Sequence, residues 1–247
     1  MVDYYYRPGA PALRNPSAIP RAASSGSRPP SWRPGPRPSG PPPFSFLPGI
    51  SAVNALLAAI AAFFVLQQIL PGFTETFYFD PGNLQWWMPA SSIFLHASLL
   101  HIALNAYALW MFGPLLEQRM GRMRFLALFF LGGIAGSALY ELTILSGIAP
   151  AMPALGASGA IYAVLGAMAV LMPRLVVLLL GIIPLSMRQA ALLWVGLELA
   201  GTFDPASGIA SAAHLGGLFL GFAWGWLEAR SPGLPGGAGQ SARLGWR

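Results

Sequence analysis

Gly156-Ala157-Ser158-Gly159-Ala160-Ile161-Tyr162-Ala163-Val164-Leu165-Gly166-Ala167-Met168-Ala169-Val170-Leu171-Met172 is an apolar run interrupted by one hydroxyl near its start and one phenol a turn later. It is nearly long enough to cross a bilayer core of ~30 Å as a helix, at ~1.5 Å per residue. A second such run follows Ala213-His214-Leu215-Gly216-Gly217. Polar side chains are costly in hydrocarbon, so a serine and a histidine each opening an apolar run point to function.

Composition agrees with a lipid solvent. Of 247 residues, 55% are hydrophobic and only 9% charged, and the mean hydropathy is +0.58. There is no cysteine, which removes disulfides, thiolate catalysis and thiolate metal sites. The net charge of +6 is carried by 14 basic residues, all of them arginine. Their placement follows membrane topology, so the basicity does not call for nucleic acid as a partner.

Residues 1–48 hold more than half of the chain's 24 prolines. Such a segment has too few apolar residues to build a core and reads as a disordered, Pro/Arg-rich tail. It is also too proline-rich for the amphipathic helix of an organelle transit peptide. Residues 49–230 form the helical domain, and Gly-rich residues 231–247 a flexible tail. The expected class is all-α, a bundle of six transmembrane helices near 49–70, 93–115, 125–146, 156–172, 188–202 and 207–229. The apolar stretch 175–185 is too short to span, contains Pro184, and reads as a partly buried lead-in.

Six spans sort the arginines onto one side. Six lie in the N-terminal tail, Arg119, Arg122 and Arg124 between the second and third helices, Arg174 and Arg188 between the fourth and fifth, and Arg230, Arg243 and Arg247 at the end. The opposite loops contain no basic residue but carry Glu75, Asp80 and Asp204. The positive-inside rule then puts both termini in the cytoplasm. Ala/Arg-rich, lysine-free usage without a clear targeting segment suggests a bacterial plasma membrane.

The same topology starts the second, fourth and sixth helices at the outer face. That places His96, His101, Asn105, Ser158 and His214 in the outer half of the bilayer, with His214 about two turns into its helix. His214, Gly217 and Gly221 share a stripe, and a Gly-x-x-x-Gly stripe lets a neighbouring helix approach closely. Ser158 and Tyr162 share another face, with Gly159 and Gly166 keeping that helix slim. His101 and Asn105 are also four apart, whereas His96 is turned away from them on a continuous helix. A serine hydroxyl needs a base, and a neutral imidazole is the usual one near pH 7. No carboxylate lies at this depth on these three helices, so Tyr162 is expected to pack on the His214 ring and orient it. His101, Asn105 and the Ser158 amide can donate to an oxyanion. Glu141 and Glu198 have no role in this reading.

Four motifs stand in order: His96-x-x-x-x-His101-x-x-x-Asn105, Gly113-x-x-x-Glu117-x-x-x-Gly121, Gly156-x-Ser158-Gly159 and Ala213-His214-x-x-Gly217-x-x-x-Gly221. Over about residues 49–230 they resemble the rhomboid intramembrane serine proteases. The resemblance implies a dyad of Ser158 as nucleophile and His214 as general base, with His101 and Asn105 at the oxyanion. Gly156, Gly159, Tyr162 and His96 would support it. It implies no metal or cofactor, a transmembrane protein substrate cut in the bilayer at small residues, and a gate at about 194–205. An inactive rhomboid-like adaptor would generally lack the serine or the histidine, and a transporter would favour inverted repeats that are not evident here. Nothing in the sequence specifies an oligomeric state.

The arginine pattern makes a prediction about sidedness. Reporter fusions after Asp80 and after Arg122 should report opposite sides of the membrane; the same side for both would overturn the six-span count.

Overall fold

The computed structural model describes residues 51–179, 181–204 and 210–230, so the two tails expected at 1–48 and 231–247 lie outside the described residues. The described chain is mostly helical. Its elements in order are α1 (Ala52–Ile69), α2 (Phe73–Phe77), α3 (Met88–Ser91), a 3₁₀ turn (Ser92–Phe94), α4 (Leu99–Met120), α5 (Arg122–Leu145) and α6 (Ser158–Leu171). A hairpin of β1 (Val176–Leu179) and β2 (Ile183–Ser186) follows, then α7 (Met187–Thr202) and α8 (Ser211–Arg230). Among the described residues, α1, α4 and α5 are long and apolar enough to cross a membrane, and α6 is a shorter apolar helix.

Helix α6 is the axis of the fold. Eleven of its fourteen residues are buried, on every side, so it is enclosed by protein along its length. Its closest neighbour is α8, and glycine makes that closeness possible. A Cβ at Gly217 would collide with the Gly159 carbonyl, one at Gly221 with the Ala163 carbonyl, and one at Gly166 with the Leu218 carbonyl. The contact is therefore backbone against backbone on both helices, the packing that small-residue stripes permit where lipid offers no hydrophobic drive between helices. On the other flank of α6, Gly132 of α5 would strike the Ala163 side chain. Phe125, Leu128 and Phe129 of α5, fully buried, fill the wider space toward α1 and α4.

Glu117 fastens α1 to α4. Its Oε1 accepts from the Ala52 amide at 2.8 Å and its Oε2 from the Val53 amide at 3.1 Å. Those are first-turn amides of α1, which have no partner inside the helix and carry the positive end of its dipole. The acid of the Gly113-Glu117-Gly121 motif is thus a helix cap delivered from another helix. A Cβ at Gly113, one turn earlier, would meet Val53 at 2.6 Å, so the same face of α4 receives α1 closely.

Several expected boundaries move. The second expected helix, 93–115, becomes α4, because the Ser98 side chain accepts from the His101 amide and caps the helix there. Its far end is Met120, where Gly121 turns at φ +85; the expected connection collapses to that one residue. His96 is consequently in a loop and not on the helix. The stretch 175–185 is neither span nor lead-in but an antiparallel hairpin, pairing Val176 with Ser186 and Leu179 with Ile183. A sheet was not expected in an all-α chain. The last helix begins at Ser211, later than position 207, which puts His214 in its first turn instead of two turns in.

Close backbone contact sets a stability expectation. Gly217→Ala should lower the unfolding temperature of the detergent-solubilised protein by an amount equivalent to about 1–3 kcal/mol or more. Gly196→Ala, at a position with open space around it, should not; equal behaviour of the two would contradict the packing described.

Candidate active site

Ser158 is the first residue of α6 and His214 stands in the first turn of α8. The α6–α8 contact brings the two together: His214 Nε2 lies 2.7 Å from Ser158 Oγ, within hydrogen-bond reach. Both residues thus occupy helix starts. His101 and Asn105 come from the start of α4. With Tyr162 and Trp194 these four line a cavity of about 620 Å³. Arg119 and Arg230 lie in the last turns of α4 and α8, and Arg174 follows the end of α6, so the cavity and these basic residues occupy opposite ends of the helices.

Serine side chains cap three of the helix starts. Ser51 caps α1, Ser98 caps α4, and Ser186 with Gln189 forms a capping box on α7. Helix α6 has no side-chain cap. Its first amides, Ser158's among them, face the cavity end without an intrahelical acceptor, an arrangement that favours negative charge at that point.

Gly156 shapes the entry to α6. Its φ of +130 is a conformation that L side chains rarely adopt, and its amide donates to the Ser92 carbonyl at 2.9 Å. A Cβ there would stand 2.9 Å from His101 Nε2 and 3.7 Å from Ser158 Oγ. The absence of that carbon leaves room for the His101 ring beside the serine. His101 Nδ1 accepts from the Ala97 amide at 3.4 Å, which assigns the ring proton to Nε2, the nitrogen on the Gly156 side. Asn105 spends one amide hydrogen on the His101 carbonyl at 2.9 Å and keeps the second.

His96 differs from its expected placement. Because it precedes the helix, the 100° step does not apply, and its ring meets His101 edge-on at 5.0 Å instead of turning away. Gln67 of α1 grips its backbone, accepting from the His96 amide at 2.9 Å and donating to its carbonyl at 3.3 Å. Burial first, and the neighbouring His101 second, bring the His96 imidazole down to about 4. His96 is therefore a neutral packing partner of His101 around pH 7.

Tyr162 stacks on the His214 ring, centroids 4.5 Å apart and planes 6° from parallel. The expectation of no carboxylate covered only the three helices that carry the serine and the histidines, and a fourth helix brings one. Glu198, on α7, brings Oε1 to 2.9 Å from His214 Nδ1, and the Tyr162 hydroxyl donates to the same oxygen. Sequence reading searched the three helices carrying the histidines and the serine, whereas this acid arrives from a fourth. The signal was present: a lone carboxylate within an apolar helix needs a partner. Trp194, one turn before Glu198, meets the Tyr162 ring at 6.4 Å. Of the stretch 194–205 expected to act as a gate, 194–202 is the C-terminal half of α7 and position 205 lies outside the described residues.

Comparison with known proteins places the chain in a family. A family model described as the Rhomboid domain matches residues 83–231. The chain is similar to "Presenilin-associated rhomboid-like protein A, mitochondrial" of Danio rerio, 32% identical over 176 residues, covering 70% of this chain and 45% of that protein. It is 37% identical over 143 residues to "Rhomboid protein 1, mitochondrial" of Saccharomyces cerevisiae, covering 57% of this chain and 41% of the relative. It is 32% identical over 158 residues to "Rhomboid protease GluP" of Bacillus subtilis, covering 61% and 27%. The match thus spans less than half the length of these relatives.

The Gly156 geometry predicts a cost. Gly156→Ala should destabilise the protein by about 1–3 kcal/mol through backbone strain and push the His101 ring aside, seen as a lower unfolding temperature together with a shifted His101 resonance. Wild-type values for both would contradict the role given to this glycine.

Proposed function

Because the chain belongs to the rhomboid family, we propose that it is an intramembrane serine endopeptidase that cleaves membrane-anchored protein substrates. The observation that carries this is the 2.7 Å approach of His214 Nε2 to Ser158 Oγ at the wall of the cavity. In this reading Ser158 attacks the scissile carbonyl while Nε2 takes its proton. The tetrahedral oxyanion is met by the Ser158 amide at the uncapped start of α6, by His101 Nε2–H and by the free Asn105 amide hydrogen. The imidazolium then returns its proton to the leaving amine, which departs and leaves an acyl-enzyme on Ser158. Water, deprotonated by the same ring, hydrolyses that ester and restores the hydroxyl.

The topology that suits this reading has six spans, α1, α4, α5, α6, α7 and α8, in a domain of residues 49–230 with both tails on the arginine-rich side of the membrane. The cavity then opens toward the outer leaflet, and the basic ends of the helices stay inside. A 14-residue α6 is only ~21 Å long. Its enclosure by other helices means that the segments completing its crossing meet protein, where irregular backbone is tolerated at membrane depth. Two of the relatives are named mitochondrial and one is from a bacterium. They do not favour the bacterial plasma membrane expected from composition, and the proposal specifies a bilayer without choosing its cell.

Ser158→Ala and His214→Ala should each reduce cleavage of a model transmembrane substrate at least about 10⁴-fold while leaving expression intact. Asn105→Ala should lose about 10²–10³. Wild-type turnover in either dyad variant would overturn the assignment.

A further inference from the structure

Stacking on Tyr162 fixes the plane of the His214 ring, but a stack has no donor or acceptor and cannot decide which nitrogen carries the proton. A base at Nε2 requires that its lone pair be free and that the proton sit on Nδ1. Resting on the protease reading above, we infer that Glu198 is the positioning residue that selects this tautomer, so that the site is a Ser158–His214–Glu198 triad and not a dyad oriented by packing alone.

Three observations carry the inference. Glu198 Oε1 stands 2.9 Å from His214 Nδ1, and both side chains are largely shielded, at 12% and 14% exposure, so the contact is not a solvent-screened surface pair. The contact is a close electrostatic approach rather than an in-line hydrogen bond, since Nδ1 has no aligned acceptor among the described residues; the charge of the carboxylate favours a proton on the ring nitrogen nearest to it. The carboxylate is itself held: the Tyr162 hydroxyl donates to Oε1, and the Ser211 hydroxyl also bonds to this carboxylate.

An ionised carboxylate only accepts, so it favours Nδ1–H over Nδ1 bare. When Ser158 attacks, the new imidazolium lies against a negative charge in a shielded site, which lowers the energy of the charged transition state. The proton remains on the ring throughout. His101, Tyr140 and Asp204 line the cavity beside Ser158 and His214, and the test separates Glu198 from them by substituting it alone. The plainer alternative is that Glu198 serves only to hold α7 against α8. In that case its loss would lower stability without changing the ring.

The experiment uses the full-length protein in detergent with selective ¹⁵N-histidine labelling, which gives resonances from only three residues. His214 is assigned by its loss in His214→Gln. Wild-type protein should show His214 as the Nδ1–H tautomer with Nε2 unprotonated. Glu198→Gln should mix the tautomers, lower kcat on a model transmembrane substrate about 10²–10⁴-fold, and leave KM within about twofold. Glu198→Asp, which restores an acceptor, should recover at least about a tenfold part of that loss. An unchanged ring pattern with wild-type kcat in Glu198→Gln would overturn the inference. So would an equal fall in all Glu198 variants that tracks a lower unfolding temperature with the ring pattern intact. Absence of cleavage by the wild type would count against the protease reading, whereas the nitrogen resonances would still decide the role of Glu198.

Discussion

Everything at the site depends on how near the backbones of α6 and α8 come to each other. Leucine or alanine at 217 or 221 would force the helices apart, because the space a Cβ needs is already occupied by a carbonyl of α6. With the glycines in place, two side chains at the helix starts meet without reaching. Ser158 is short and His214 has a single long arm, and their 2.7 Å separation follows from the interaxial distance rather than from a flexible loop. The site is built on helices, which hold reacting groups more rigidly than loops do. Gly136 of α5, whose Cβ would meet the Ala213 carbonyl at 2.6 Å, presses α8 from the other side just before His214.

A polar cluster in a helical bundle must satisfy itself. Here the chain uses polar groups in linked sets: Glu117 supplies two acceptors to the start of α1, Gln67 pairs with both backbone groups of His96, and Glu198 gathers Tyr162 and His214. At the far end, Arg124 and Glu228 pair at 3.0 Å and tie the start of α5 to the end of α8. The start of α6, like that of α5, has no side-chain cap. Leaving first-turn amides open costs stability in a buried setting and is consistent with a place kept for a developing negative charge.

Much of this was legible in the sequence, for identifiable reasons. Helices α1 and α5 announced themselves by long apolar runs, and the Gly217–Gly221 stripe indicated the face that receives another helix. What failed was local chemistry that hydropathy does not register. Ser98 stops the helix from extending back to Ile93 because its hydroxyl is a better partner for the His101 amide than continued helix would be, and that displaced His96. The 175–185 run has the apolar content of a partial span, but its β-branched Val176, Val177, Ile182 and Ile183 on either side of Gly181 (φ +75) suit a hairpin. Glu198 was missed for a different reason: contact between α7 and α8 is a tertiary fact, and facing computed within one helix says nothing about which neighbour arrives.

The central claim is that Ser158 is a nucleophile made reactive by His214. Treatment of the purified full-length protein with a fluorophosphonate probe, followed by intact-mass and peptide mapping, tests it most directly. The account predicts a single stoichiometric adduct on Ser158 that is lost in His214→Ala. An unmodified Ser158, or equal labelling with and without the histidine, would contradict it.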